Sequence, residues 1–104
     1  MQIQQLSIFV ENKSGRLAEI TEILGRANVD IRAISVADTS DFGILRLIVD
    51  KPQDAVKALK EAGLTVSLTS VIAVGIDDRP GEFAKAMRIL ADADISVEYM
   101  YAFI

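Results

Sequence analysis

The chain contains one supersecondary pattern twice, and the two copies lie 66 residues apart. The stretch ENKSGRLAEITEILGRANVDI, residues 11–31, aligns without a gap with DDRPGEFAKAMRILADADISV, residues 77–97. Identical positions in the two copies include Gly15 and Gly81, Ala18 and Ala84, Leu24 and Leu90, and Ala27 and Ala93. A repeat of this length is the signature of a duplicated structural unit, so the fold must accommodate two related units.

Hydrophobic periodicity predicts the order β-α-β-β-α-β followed by β-α-β. The predicted elements are strands 2–10, 29–38, 44–50 and 64–69 with helices 15–28 and 52–62, then strand 70–76, helix 80–93 and strand 95–104. The first six elements predict an α+β fold, the ferredoxin-like βαββαβ sandwich, in which both helices cover one face of an antiparallel four-stranded sheet. Residues 1–69 would form this domain, and residues 70–104 a partial second βαβ unit.

Residues with strong local preferences support these boundaries. Ser14 is a candidate N-cap for the first helix, and residues 39–43 are a candidate turn between two strands. Pro52 suits the first turn of the second helix, and Gly63 lies just past its end, as helix C-termini prefer.

Composition excludes several classes of function. The 104 residues contain no cysteine and no histidine, so disulfides, thiol nucleophiles and histidine bases are ruled out. The formal net charge of −4 and the scattered basic residues argue against nucleic-acid binding. No apolar run is long enough for a membrane span, and the N-terminus lacks a signal-peptide pattern. A cytoplasmic protein without metal or cofactor is therefore expected.

Both copies place a polar turn and a glycine at the start of a helix, NKSGRL in the first and DRPGEF in the second. Free backbone N–H groups point outward at a helix start, where the helix dipole favours negative charge. A small carboxylate could bind there, and glycine would allow a close approach. The same residues are also ordinary helix-start chemistry that needs no ligand.

The repeated stretches 11–31 and 77–97, together with the βαββαβ order around the first, resemble ACT domains. ACT domains are small regulatory modules that bind amino acids. The resemblance covers the whole first unit, residues 1–69, and the βαβ half of a second, residues 70–104. It implies a non-catalytic tandem ACT protein that acts allosterically on a separate metabolic enzyme. In this family the ligand commonly sits where the first strand–helix turn of one unit meets the second strand of a neighbouring unit.

The resemblance implies two groups of ligand-binding residues. The first is Asn12, Lys13, Ser14, Gly15, Arg16 and Leu17, with Asn28 and Ile31 nearby. The second, weaker group is Asp77, Asp78, Arg79, Pro80, Gly81 and Glu82. Asp78 replaces Asn12 and Glu82 replaces Arg16, and these two extra negative charges would oppose a ligand carboxylate.

The last predicted strand is apolar on both sides. Val97, Tyr99, Tyr101 and Phe103 alternate with Met100, Ala102 and Ile104. Such a strand is normally buried on both faces, and at an edge it invites pairing with another chain. Either the sequence is truncated or a partner supplies the cover, which predicts a homo-oligomer formed through sheet edges. The aromatic stripe is interpreted as core or interface rather than as a stacking platform for a ligand.

Three other functions compete with the amino-acid sensor. Asp77, Asp78 and Glu82 could serve an enzyme as acids or as metal ligands, although no nucleophile–base pair accompanies them. RNA-recognition domains share the element order, but the strand ILRLIVD has no aromatic residue and a single arginine. The main rival is a structural dimerisation module that binds no ligand.

Overall fold

The computed structural model describes residues 1–11, 13–38 and 42–103 of the chain. Seven elements follow one another in the described residues: β1 (Gln2–Glu11), α1 (Arg16–Arg26), β2 (Ile31–Asp38), β3 (Phe42–Val49), α2 (Pro52–Glu61), β4 (Thr65–Ile72) and α3 (Glu82–Asp92). The first six have the predicted βαββαβ order. The α+β ferredoxin-like fold is thereby confirmed.

The four strands form one antiparallel sheet in the order β2-β3-β1-β4. In β1 the side chains of Leu6, Ile8 and Val10 point toward α1 and α2, while Gln5 and its odd-numbered neighbours point to the opposite face. We call this opposite side the open face of the sheet. The sheet therefore has one face covered by two helices and one face free for other contacts.

The helices cover the sheet with the apolar residues that their spacing predicts. Ile20 and Leu24 of α1 and Ala55 and Leu59 of α2 are fully buried. Their periodicity of three to four residues puts them on one side of each helix, where they meet the apolar side chains of β1 and β3. As predicted, α2 begins at Pro52, and Gly63 follows it with a φ of 84°.

Local backbone geometry repeats with the sequence. Gly15 and Gly81 precede α1 and α3 with φ angles of 84° and 89°, and Asn28 and Asp94 follow the two helices with φ angles of 59° and 58°. Each backbone hydrogen bond that flanks α1 has a counterpart 66 residues later. One such pair is Arg16 N–H to Lys13 C=O at 3.3 Å and Glu82 N–H to Arg79 C=O at 3.2 Å. The repeat is therefore a repeat of backbone conformation.

The second unit differs from the sequence prediction in its strands. β4 continues to Ile72, so residues 70–72 belong to the first sheet, and 73–77 are not in a strand. The predicted strand 95–104 is also wrong for residues 95–103, which are in neither a helix nor a strand, and Ile104 lies outside the described residues. A strand needs a run of backbone hydrogen bonds to a neighbouring strand, and in the described chain these two segments make only isolated ones, such as those between Ala73 and Met1. Accordingly α3 contains no buried residue.

Residues 95–103, which we call the C-terminal segment, contact the open face of the sheet through Tyr99 and Tyr101 instead. The side-chain amide of Gln5 donates to the Tyr99 hydroxyl at 2.9 Å and accepts a hydrogen bond from the Tyr101 hydroxyl at 2.7 Å. The Arg46 guanidinium lies 3.8 Å from the centre of the Tyr99 ring, a cation–π contact. Gln5 is fully buried as a result. The two tyrosines thus contact the sheet, whereas Val97 and Phe103 of the same stripe are exposed, so its interpretation as core or interface stays a prediction.

Two smaller predictions are corrected. The N-cap of α1 is Gly15 rather than Ser14, and no side chain of the described residues caps this helix. A left-handed residue at the helix start is a role that glycine fills without steric cost. In the predicted turn, residues 39–41 lie outside the described residues, while Phe42 and Gly43 begin β3.

Candidate functional site

The turn between β1 and α1 presents unpaired backbone donors. Within the described part of the chain, the N–H groups of Ser14, Gly15 and Leu17 have no hydrogen-bond acceptor, whereas that of Arg16 donates to the Lys13 carbonyl. The first N–H groups of a helix cannot bond within the helix, and the helix dipole makes this end locally positive. The turn therefore offers donors suited to a small anionic group.

A cleft of about 140 Å³ opens beside this turn, on the helix-covered side of the sheet. Seven residues line it: Val10, Glu11, Lys13, Arg16, Leu17, Val36 and Gly43. Val10 and Gly43 face each other across the β1–β3 pair, Val36 comes from β2, and Arg16 and Leu17 come from the first turn of α1. We call this space the α1 cleft.

The polar side of the α1 cleft carries both signs of charge. The Lys13 ammonium lies 2.8 Å from the Glu11 carboxylate, and the Arg16 guanidinium lies 4.0 Å from the same carboxylate and 3.0 Å from that of Glu19. The hydrogen bond from Lys13, with its positive charge, lowers the pKa of the Glu11 carboxyl below its usual value. Glu11 is therefore ionised at neutral pH and can attract an ammonium group.

The structure brings together only part of the first predicted group. Lys13, Arg16 and Leu17 line the α1 cleft, whereas Ser14 and Gly15 lie between them in the turn and do not line it. Asn12 lies outside the described residues. Asn28 and Ile31 are at the opposite end of α1, about 16 Å away along an 11-residue helix. One unit therefore does not place them in the same cleft as the turn.

Asn28 instead lines a second, polar cavity of about 230 Å³ at the other end of the sheet. Its backbone carbonyl accepts a hydrogen bond from the Lys51 ammonium at 2.7 Å, and the Asp50 carboxylate accepts one from the Asp30 N–H at 2.9 Å. These bonds join α1, β2 and α2. The polar groups around this cavity are thus engaged in holding the fold.

Sequence reasoning missed four residues of the α1 cleft: Val10, Glu11, Val36 and Gly43. They are distant from one another in the sequence and are brought together by strand pairing and by the position of the β2 edge. The sequence did contain one signal for Gly43. Gly43 lies on the same helix-facing side of β3 as Leu45 and Leu47, and at these two positions the side chains are apolar and buried, whereas glycine has none.

The turn before α3 has the same backbone as the first turn but different charges. The Arg79 guanidinium lies 2.8 Å from the Asp77 carboxylate and 3.4 Å from that of Glu82, which also accepts a bond from Lys85 at 3.1 Å. Asp78, Pro80 and Gly81 are exposed beside them. This turn is paired internally, and neither cavity described above includes any of its residues.

Among the described residues, no group of three or more acidic side chains converges to hold a metal ion. None of the helices that the structure describes is long and apolar enough to cross a membrane.

The model of one protein family, described as an ACT domain pair, matches residues 1–104. The chain belongs to the ACT domain family. ACT domains are in general regulatory, ligand-binding and non-catalytic. No curated protein matches the chain.

Solved structures show the same ACT fold. Protein BT0572 from Bacteroides thetaiotaomicron is 45% identical, with a TM-score of 0.95 over 100% of this chain and 72% of that chain. The regulatory subunit of aspartate kinase from Thermus thermophilus is 18% identical, with a TM-score of 0.73 over 96% of this chain and 76% of that one. The ACT domain of prephenate dehydrogenase tyrA from Bacillus anthracis is 28% identical, with a TM-score of 0.54 over 61% of this chain and 99% of that one.

Proposed function

We propose that this ACT domain pair is an amino-acid sensor without catalytic activity of its own. The observation that carries the proposal is the α1 cleft, which combines charges of both signs with apolar side chains and adjoins a turn with free backbone N–H groups. A zwitterion has matching parts. Its carboxylate would bind the N–H groups of Ser14 and Gly15 and the Arg16 guanidinium, while its ammonium would approach Glu11.

Binding would regulate by favouring one arrangement of the ACT units over another. A ligand can shift such an equilibrium only through different affinities for the two arrangements, and typical couplings are about 1–3 kcal/mol. The regulated activity would belong to a separate metabolic enzyme of the cytoplasm. The acidic second turn would act as a weaker site, since its carboxylates oppose a ligand carboxylate.

Calorimetric titration of the chain with each of the twenty amino acids tests the proposal. We expect one amino acid, or a few related ones, to bind with a submillimolar Kd. Replacing Arg16 with glutamine removes a charged donor worth about 1.5–3 kcal/mol, so the affinity should fall roughly 10- to 150-fold.

The matched control is Arg26→Gln, which removes the same charge from the last turn of the same helix, outside the α1 cleft. This variant should bind like the parent chain. An absence of heat across the whole panel at millimolar concentration would reject the sensor and leave an assembly module as the function.

We also propose that the chain self-associates through a sheet edge. β2 is an edge strand, and Ile34 and Val36 on it are 50% and 51% exposed. Unpaired edge backbone and exposed apolar side chains together favour strand pairing between chains. Because Val36 also lines the α1 cleft, a neighbour along β2 would lie at the rim of the ligand site.

Sedimentation velocity at micromolar concentration should show a dimer or a larger species. Ile34→Lys places a charge on the β2 edge and should shift the distribution to monomer, since natural edges use lysine to prevent pairing. Ile89→Lys is the matched control, because Ile89 is also an exposed isoleucine, 69% exposed, but lies on α3. A monodisperse monomer of the parent chain would refute self-association, and dissociation by Ile89→Lys alone would move the interface to α3.

A further inference from the structure

The floor of the α1 cleft is a position without a side chain. Gly43, Leu45, Leu47 and Val49 follow the helix-facing side of β3, and all four are buried. Leucine and valine fill the core at three of these positions, whereas glycine leaves a gap at the end next to α1. Gly43 does not have the positive φ that would require glycine there. The backbone conformation alone therefore does not explain this residue.

The neighbours of Gly43 show what a side chain would change. A Cβ atom added at Gly43 would lie 3.4 Å from a Val10 methyl carbon and 3.3 Å from the Ala37 carbonyl oxygen. Both distances are tight, so the neighbours would have to move by a few tenths of an ångström. Since Val10 lines the α1 cleft, an added methyl group would reduce the space available to a ligand.

The walls above Gly43 are apolar and incompletely buried. Leu17 is 43% exposed and Val36 is 51% exposed, although both face the cleft. Apolar surface of this kind is stabilised when another apolar group covers it, by about 25 cal/mol per Å². The polar residues Glu11, Lys13 and Arg16 line the same cleft. An amino acid bound there would therefore meet charged groups for its two charges and apolar surface for its side chain.

The volume of the cleft limits the size of that apolar group. An apolar cavity of about 150 Å³ accepts benzene. The α1 cleft measures about 140 Å³ in total, including the part beside the charged residues. The part of the cleft above Gly43 is smaller than this total, which favours an aliphatic side chain of three or four carbons over a ring.

We propose that Gly43 determines specificity, as the floor of an apolar subsite that accepts the side chain of valine, leucine or isoleucine and excludes aromatic and charged side chains. This inference rests on the proposed function, because it takes an amino acid as the ligand of the α1 cleft. The contribution of Gly43 is the absence of a side chain, which sets the depth of the subsite between Val10, Leu17 and Val36.

Calorimetric titration with alanine, valine, leucine, isoleucine, phenylalanine, tryptophan, aspartate and lysine tests the subsite. For the parent chain we expect the branched aliphatic amino acids to bind at least about tenfold more tightly than the others, since one methylene group in such a pocket is worth about 10- to 200-fold. Gly43→Ala should lower the affinity for leucine and isoleucine at least about tenfold and that for alanine less than about threefold.

Gly75→Ala is the matched control, because Gly75 lies outside both cavities and an added Cβ there meets no atom within 4 Å. Its binding profile should equal that of the parent. If circular dichroism shows that Gly43→Ala does not fold, the same titration of Leu17→Ala tests the subsite instead. This change at an exposed position of α1 should weaken leucine binding about three- to tenfold and leave alanine binding almost unchanged.

The possible outcomes distinguish a failure of this inference from a failure of the proposed function. Preferential binding of phenylalanine, tryptophan, aspartate or lysine would overturn the aliphatic subsite and keep the sensor. The subsite alone would also be overturned if a folded Gly43→Ala protein kept the parent's preference for branched aliphatic amino acids. The same holds for Leu17→Ala if that variant has to replace Gly43→Ala. Binding of no amino acid by the parent chain would overturn both.

Discussion

Replacing Gly15 with alanine is expected to lower the free energy of unfolding by about 1–2 kcal/mol and to weaken ligand binding at the α1 cleft. Gly15 has a φ of 84°, and an L-residue with a Cβ atom pays about 1–2 kcal/mol for this left-handed conformation. The cost is torsional, since the added Cβ would meet no atom within 4 Å. Relief of the strain would rearrange the first turn of α1, whose N–H groups line the ligand site.

The repeat supplies the control for this prediction. Gly81→Ala introduces the same strain, at a φ of 89°, in front of α3. Since α1 buries Ile20 and Leu24 and α3 buries no residue, only the first substitution should move the main unfolding transition in urea. Circular dichroism at the helix band measures both variants. Equal shifts would mean that α3 unfolds together with the first sheet, contrary to this interpretation.

Replacing Gln5 with leucine is expected to release the C-terminal segment from the sheet. The substitution removes the hydrogen bonds to Tyr99 and Tyr101, each worth about 1 kcal/mol net. Docking of the C-terminal segment therefore weakens by about 2 kcal/mol, and the population in which the segment is undocked rises roughly 30-fold. The core on the helix side of β1 stays intact, because Gln5 points to the open face. Chymotryptic cleavage within residues 95–103 should therefore accelerate while the hydrogen exchange of β1 and β3 is retained.

Tyrosine spectroscopy gives a second measurement of the same event. The chain has two tyrosines and no tryptophan, so near-ultraviolet signals from tyrosine report on this segment alone. Burial, and to a smaller extent the electrostatic interaction with Tyr99, raises the pKa of Tyr101 above its ordinary value of 10.0. Docking is thus stabilised while the phenol is protonated and is lost as the pH rises through the raised pKa. In Gln5→Leu the pKa should return toward 10.0.

Gln4→Leu is the control, because Gln4 is the exposed neighbour of Gln5 in β1. It makes the same chemical change without touching either tyrosine contact and should leave cleavage and titration unchanged. An unchanged cleavage rate within residues 95–103 in Gln5→Leu would show that other contacts hold the segment in place.

Local sequence signals predicted the first unit well. The spacing of Ile20, Leu24 and Leu59 follows from the helical period alone, and Pro52 and Gly63 act through their own backbone preferences. These signals need no knowledge of distant residues. The element order then left few ways to bury the apolar faces, and the ferredoxin-like sandwich is one that does so.

The strand predicted at the end of the chain failed for a non-local reason. Alternating apolar residues show that residues 95–103 can be extended, but a strand also needs hydrogen bonds to a neighbouring backbone. No pattern within the segment could show that its contacts would be side-chain contacts with Gln5. The N-cap was missed because serine is the commoner cap, whereas the positive φ at Gly15 depends on how β1 enters the helix.

The α1 cleft was predicted in part. The turn at residues 12–17 followed from helix-start chemistry and from the resemblance to ACT domains, and its position beside a cleft supports the proposal made for it. Glu11, Val36 and Gly43 depend on the pairing of three strands, which the sequence does not specify residue by residue. Asn28 and Ile31 were grouped with the turn because the family places its ligands between units.

The matched torsion angles at both ends of α1 and α3 bear on how a duplicated unit can diverge. Gly15 and Gly81 set the direction in which each helix starts, and Asn28 and Asp94 set the direction in which the chain leaves it. None of the four has to contact a ligand through its side chain for this purpose. The path of the chain is thus separable from its surface chemistry, so one copy can exchange arginine for glutamate at the mouth of the turn without altering the course of its backbone.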